Sequence, residues 1–134
     1  MKRNPIFLLI LSLVLLSSCS EANTKKKPTK KEVLVEVSNG IFTEYYPGRK
    51  AIKFKGPQDS NGQRNGRWFF YDEDGQEMSM TEYAHGKKNG FTFVRYPNGT
   101  MRYTGEYTDD VESGLWKFYD QQGNVNLEKN YAEK

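Results

Sequence analysis

The sequence predicts an all-β protein built from tandem β-hairpins that form an elongated, twisted antiparallel sheet. Glycines recur with a spacing of 24 residues, and a second set follows each of them nine residues later. The two sets are Gly66, Gly90 and Gly114, then Gly75, Gly99 and Gly123. A fixed period of this length indicates one small unit, copied and stacked. After residue 32 no stretch carries an apolar stripe long enough for a helix.

Each unit is predicted to contain two strands and two turns. The segments GRWFFYDEDG (66–75), GFTFVRYPNG (90–99) and GLWKFYDQQG (114–123) align without gaps. The aromatic residues at the start of each unit indicate a first strand. The last glycine of each segment can adopt positive φ, which suits a hairpin loop of three to five residues closed by a bulge. The middle copy departs at two places, because Thr92 replaces a tryptophan and Tyr96 is displaced by one position.

A weaker copy, GIFTEYYPG (40–48), precedes the three regular units. Two strands in each of four units give about eight strands, and Val33–Val37 adds a strand that caps the N-terminal end. The segment GPQDSNGQRNG (56–66), between the weak copy and the first regular one, is typical of a loop. The repeat domain is therefore expected to span residues 32–134.

The aromatic residues are candidates for both the core and a binding surface. Alternation along a strand places four of them on one face: Trp68, Phe70, Trp116 and Phe118. The candidate binding surface comprises Tyr71, Tyr96, Tyr119, Trp68 and Trp116. We favour a core position for the tryptophans and surface contact for the tyrosines, whose hydroxyl groups tolerate water. The alternative is an exposed aromatic face that binds a protein or a glycan.

The repeated units NGRWFFYDEDGQ and SGLWKFYDQQGN resemble the MORN repeat in its shorter bacterial form, G-x-W-x-x-Y-x-x-x-G followed by a tyrosine and a second glycine turn. The resemblance covers about residues 40–134. It implies a sheet of tandem hairpins that serves as a scaffold or attachment surface. Eukaryotic MORN proteins have been linked to membranes and protein partners, and some bacterial relatives carry an antitoxin label.

The N-terminus has the pattern of an exported protein. Lys2 and Arg3 precede twelve residues, PIFLLILSLVLL, a run shorter than the roughly 20 apolar residues of a membrane-spanning helix. Leu16–Cys19 (LSSC) resembles a bacterial lipobox. This resemblance implies that residues 1–18 are a signal peptide, that Cys19 carries diacylglycerol, and that the new amino terminus is acylated. The alternative is an ordinary signal peptide with an incidental cysteine.

Charge is distributed unevenly between the tether and the repeat domain. Residues 19–31 form a lysine-rich tether expected to be disordered, whereas residues 32–134 hold 13 Lys and Arg against 16 Asp and Glu. Because the domain is not basic, nucleic-acid binding is not expected. The expected partners are a membrane, through the lipid anchor, and a protein. The expected location is the bacterial cell envelope, at the outer membrane or periplasmic face rather than in the cytoplasm.

The sequence carries no catalytic constellation, so neither an enzyme nor a cofactor or metal site is expected. His85 is the only histidine and falls in a turn. The acidic clusters 72–74 and 109–112 lack the alternating oxygen ligands and central glycine of a calcium loop. The function expected is non-catalytic scaffolding or protein binding. The alternatives are an antitoxin- or immunity-like protein that masks a toxin, and a binder of envelope glycan.

The lipobox resemblance predicts that Cys19→Ser leaves an unacylated precursor that is not cleaved before residue 19. Lipid attachment requires the thiol, so the serine variant has no atom that can accept the diacylglycerol group. Intact-mass spectrometry of the wild-type membrane fraction should show a chain that begins at Cys19 and carries acyl mass. A mature wild-type chain that starts elsewhere and has no lipid would contradict the prediction.

Overall fold

A computed structural model describes residues 32–131. The predicted signal peptide (1–18), the lipidation site Cys19 and the tether (19–31) lie outside the described residues, as do residues 132–134. Each expectation that falls on those segments therefore stays a prediction.

The described residues form one open sheet in which every strand pairs antiparallel with the next in the chain. The strands are β1 (Val35–Ser38), β2 (Ile41–Tyr45), β3 (Ile52–Pro57), β4 (Gly66–Tyr71), β5 (Glu77–Ala84), β6 (Lys87–Arg95), β7 (Met101–Thr108), β8 (Val111–Tyr119) and β9 (Val125–Tyr131). The predicted all-β sheet of tandem hairpins is confirmed. Over residues 32–131 there is no helix that is long and apolar enough to cross a membrane.

The repeated glycines close the hairpin turns as the sequence predicts. Gly75, Gly99 and Gly123 have φ values of 84°, 86° and 89°. In the first of these turns the Gly75 N–H donates to the Asp72 carbonyl at 3.1 Å, and the Asp72 N–H donates to the Gln76 carbonyl at 3.0 Å. Glycine reaches this left-handed region without the steric cost that a Cβ imposes. The hairpins are therefore determined locally, one repeat at a time.

Strand register gives the sheet two distinct faces. One row of directly paired residues crosses all nine strands: Val35, Glu44, Phe54, Phe70, Ser79, Val94, Tyr103, Phe118 and Leu127. We call this side, which also carries Trp68 and Trp116, the tryptophan face. The opposite row is Glu36, Thr43, Lys55, Phe69, Met80, Phe93, Thr104, Lys117 and Glu128. We call that side the phenylalanine face.

The core consists mainly of two tryptophans that each lie over a glycine of the preceding strand. Trp68 and Trp116 are 5% and 3% exposed. Their indole rings occupy the space where a Cβ on Gly56 or Gly105 would be. The core assignment of both tryptophans is confirmed. Each indole ring fits over the neighbouring strand because the glycine beneath it has no side chain.

The middle repeat replaces this arrangement with a pair of threonines. Thr92 is 2% exposed. Its hydroxyl lies 2.8 Å from that of Thr81 on β5, and it donates to the Met80 carbonyl at 3.0 Å. Tryptophan–glycine and threonine–threonine pairs therefore alternate along the sheet. The structural unit is a pair of hairpins, and the missing tryptophan of the middle copy is part of that alternation.

The tryptophan–glycine arrangement predicts a strong coupling between Gly105 and Trp116. Gly105→Ala should lower the free energy of unfolding by about 1–3 kcal/mol, because the new methyl group overlaps the indole. In a Trp116→Ala background the same change should cost little, since the ring is gone. Chemical denaturation of the four proteins of this double-mutant cycle measures the coupling. Equal costs in both backgrounds would show that the clash is not the cause.

Candidate functional site

The two tryptophans belong to aromatic clusters and do not form a free binding surface. The Trp116 ring centroid lies 5.7 Å from that of Tyr103 and 5.1 Å from that of Tyr107. Trp68 has Phe42 at 5.3 Å and the Arg64 guanidinium at 4.5 Å. Tilted and edge-on contacts at these distances stabilise aromatic pairs beyond the area they bury. Trp68 and Trp116 therefore hold the sheet together and are not available to a ligand.

The indole N–H groups are satisfied by backbone carbonyls. Trp68 Nε1 donates to the Pro57 carbonyl at 2.8 Å, and Trp116 Nε1 donates to the Glu106 carbonyl at 3.1 Å. Pro57 and Glu106 each follow the glycine that lies under the ring. A buried indole donor needs such a partner to avoid a desolvation penalty.

The predicted surface tyrosines are half-buried, and two of them are joined. The Tyr96 hydroxyl donates to the Tyr119 carbonyl at 2.9 Å. One hairpin pair earlier, the Tyr46 hydroxyl donates to the Tyr71 carbonyl at 2.8 Å. Burial is the main cause that raises the pKa of Tyr71 above its ordinary value. The Tyr96 hydroxyl thus serves an internal contact between the turn after β6 and the end of β8, while surface contact through its half-buried ring stays a prediction.

Tyr46 is the structural residue that the sequence interpretation missed. Its equivalence to Tyr96 is visible as the recurring dipeptide Tyr-Pro, at 46–47 and again at 96–97. The spacing is 50 residues, so a search restricted to the 24-residue period does not detect it. The displaced tyrosine of the middle repeat matches the weak first copy, and both reach across one intervening strand.

One exposed apolar area lies on the phenylalanine face. Phe91 on β6 is 40% exposed, and Leu115 on β8 is 46% exposed. Both follow the first glycine of their repeat, where the preceding repeat has Arg67. We call Phe91, Leu115 and the adjoining Phe93 the apolar patch. Phe91 and Phe93 have ring centroids 6.4 Å apart, so they form one continuous aromatic surface.

Glu82 fixes the backbone beneath the apolar patch. Its carboxylate accepts the Phe91 N–H at 2.9 Å and the Arg67 guanidinium at 3.0 Å. The Phe91 N–H is the first cause that holds the pKa of Glu82 below its ordinary value, and the bond to Arg67 is the second. Gly90 has φ 111°, and a Cβ there would meet the Glu82 side chain. The backbone beneath the patch is therefore bonded to the side chain of a neighbouring strand.

Three tyrosines of the tryptophan face each have a cation of the same chain over the ring. The Arg64 guanidinium lies 5.2 Å from the Tyr83 ring centroid. Lys88 lies 4.6 Å from the Tyr107 ring, and Lys129 lies 4.3 Å from the Tyr131 ring. Cation–π contacts of this geometry are favourable. They occupy ring faces on which a sugar would have to stack.

The polar clusters singled out in the sequence make internal contacts. The Asp72 carboxylate accepts the backbone N–H groups of Asp74 and Gln76 at 3.1 and 2.8 Å. His85 Nδ1 lies 3.1 Å from an Asp59 oxygen, and this hydrogen bond is the first cause that lowers the pKa of Asp59. In the part of the chain that the structure describes, no group of three or more His, Cys, Asp and Glu side chains is placed to hold a metal ion.

Comparison with known proteins gives no match: no protein-family model and no curated protein matches the chain. The function is therefore argued from the repeat, the N-terminal motif and the apolar patch.

The tyrosine contact predicts different effects for two conservative substitutions. Tyr96→Phe should lower the free energy of unfolding by about 1–2 kcal/mol, because the partly buried Tyr119 carbonyl loses its donor. Tyr119→Phe is the matched control, since Tyr119 enters this contact through its backbone carbonyl, and it should be close to neutral. Urea denaturation of both variants measures the difference. If Tyr119→Phe costs as much as Tyr96→Phe, the hydrogen bond is not the source of stability.

Proposed function

We propose that this protein is a lipid-anchored component of the bacterial envelope whose MORN-like repeat sheet binds a protein partner and catalyses no reaction. Three features support the proposal: the lipobox-like Leu16–Cys19, the recurring hairpin unit, and the apolar patch on the phenylalanine face. The observation that carries it is the patch, because Phe91 and Leu115 remain exposed in a sheet that buries its tryptophans.

The patch has the composition of a protein-binding surface. Phe91 and Leu115 lie on strands separated by β7, about 10 Å apart at the usual strand spacing. Glu106, directly opposite Phe91, lies on the strand between them, and the Arg67–Glu82 ion pair supplies polar groups on the other side of Phe91. Apolar anchors with a polar rim are the usual anatomy of a protein interface. The hydrogen bond from the Phe91 N–H to Glu82 orders the backbone before a partner binds, which reduces the ordering cost of binding.

The glycan alternative has less support from the geometry. It relied on Trp68, Trp116 and the tyrosines, but both indole rings are buried. Cations lie over the rings of Tyr83, Tyr107 and Tyr131, and the Arg102 guanidinium lies 5.8 Å from the ring centroid of the candidate Tyr96. A toxin remains one kind of protein that the patch could bind. The identity of the bound protein distinguishes an immunity role from a scaffolding role.

A photo-crosslinking phenylalanine analogue at position 91 tests the proposal in living cells that produce the full chain. The analogue preserves the aromatic ring, so a partner seated on the patch should give one discrete adduct in the envelope fraction. The control is the same analogue at Leu127, which is 54% exposed and lies on the tryptophan face. Leu115→Glu in the position-91 protein should remove the adduct, because it places a carboxylate within the patch.

The Cys19→Ser variant tests the lipid anchor separately from the apolar patch. With Cys19→Ser the acyl mass should be lost, whereas the patch itself is unchanged. Equal adducts from positions 91 and 127, or an adduct from position 91 that survives Leu115→Glu, would contradict binding at the patch. Mass spectrometry of the excised adduct then identifies the partner.

A further inference from the structure

Strand β1 is an edge strand with an exposed valine stripe. Among residues 32–131 its one neighbour in the sheet is β2. Val33, Val35 and Val37 are all exposed, and alternation places them on the tryptophan face, since Val35 pairs with Glu44 and Val37 with Phe42. A β-branched, apolar edge is a template for pairing with another strand.

The free backbone groups of β1 belong to Val35 and Val37. The Leu34 carbonyl accepts the Tyr45 N–H at 2.8 Å, so Leu34 directs its backbone groups toward β2. Successive residues of a strand direct their N–H and C=O groups to opposite sides. Val35 and Val37 therefore direct theirs away from β2, where another strand can pair with them.

The one charged side chain of β1 lies on the phenylalanine face and forms an ion pair within the same chain. Glu36 is the only ionisable residue of the strand, and its carboxylate bonds Arg49 at 2.6 Å and the Tyr45 hydroxyl at 3.1 Å. Arg49 also donates to the Val33 carbonyl. These contacts hold the segment before β1 extended. They leave the valine stripe free of charge.

We propose that β1 pairs antiparallel with β1 of a second copy of this chain, around a two-fold axis at Val35. In this register Val35 faces Val35 of the partner subunit, and Val33 faces Val37 of the partner subunit. On the phenylalanine face, Leu34 lies opposite Glu36 of the partner subunit. The two sheets become one continuous sheet, and the three valines of each copy form a single apolar stripe.

Other registers, shifted by two residues, would also keep the tryptophan faces of the two copies on the same side of the joined sheet. Electrostatic repulsion disfavours these shifted registers. A shift by two residues in one direction places Glu36 opposite Glu36 of the partner subunit. A shift in the other direction places Glu32 opposite Glu36 of the partner subunit. Like charges directly opposite each other destabilise a strand pair. The register centred on Val35 avoids both.

The stripe is continuous with the core of the tryptophan face. Val37 pairs with Phe42, whose ring centroid lies 5.3 Å from that of Trp68. Pairing of two copies therefore extends an existing apolar layer across the two-fold axis. Because both contacting surfaces are the same strand, the interface is isologous and closes at two subunits.

The opposite edge, β9, is less suited to pairing. It also exposes Val125 and Leu127, but it carries both Glu128 and Lys129. Glu128 is engaged with Lys117 at 3.1 Å, and the Lys129 ammonium lies over Tyr131. Lysine on an edge strand is a common device against edge-to-edge association. The two edges thus provide a matched comparison within one molecule.

Sedimentation velocity of the full chain in detergent, over a concentration series, tests the dimer. The wild type should pass from one subunit to two. Val35→Lys should weaken dimerisation at least about tenfold, because two ammonium groups would meet at the axis. Val125→Lys is the control: Val35 and Val125 are 42% and 48% exposed, and the same change on β9 should leave the dimer intact. Unchanged thermal melts establish that both variants fold.

Cysteine substitutions test which residues of the two β1 strands face each other, in the same preparations. Val35→Cys should form an intersubunit disulfide, because directly hydrogen-bonded residues of antiparallel strands have Cα atoms about 5.5 Å apart. Val37→Cys should not, since it faces Val33 of the partner subunit. The wild type, whose single cysteine is Cys19, is the blank.

Three results would overturn the proposal. They are a wild type that stays a single subunit at every concentration, a dimer lost in Val125→Lys but kept in Val35→Lys, and assemblies larger than two subunits. None of them bears on the apolar patch, which lies on the other face, so this proposal and the proposed partner binding can fail separately.

Discussion

The structure depends on an indole ring that lies flat over a glycine of the preceding strand. Trp68 over Gly56 and Trp116 over Gly105 are the most buried large side chains of the sheet. A sheet of one layer has no second layer to cover its apolar face, so burial must come from rings that lie along the sheet surface. Only a glycine neighbour gives the ring room to do so.

This constraint explains why the repeats alternate. A strand that lacks glycine at this position, as β5 does with Thr81, is followed by Thr92 and not by a tryptophan. The Tyr-Pro turns follow the same two-hairpin alternation, since Tyr46 and Tyr96 each reach a carbonyl two strands away. Neighbouring hairpins are therefore coupled in pairs. The apolar patch lies on the opposite face of these coupled hairpins.

A single-layer sheet also leaves two kinds of surface uncovered, its second face and its edges. In this chain the uncovered face displays Phe91 above a backbone that Glu82 holds in place. The uncovered edge at β1 displays valines, whereas β9 carries Glu128 and Lys129. The proposed partner binding uses the face, and the proposed self-association uses the edge. A lipid anchor at Cys19 would hold both at the same membrane.

The sequence by itself determined the features that depend on neighbours in the chain: the hairpin period, the left-handed glycines such as Gly99, the number of strands and the core position of the tryptophans. These follow from local turn chemistry and strand alternation. Only the tertiary structure decided which glycine lies under which indole, that the Tyr96 hydroxyl is used internally, and that Phe91 is exposed. The physical reason is that such contacts depend on register between strands, and bulges such as the one between Thr81 and Tyr83 shift that register without a clear mark in the sequence.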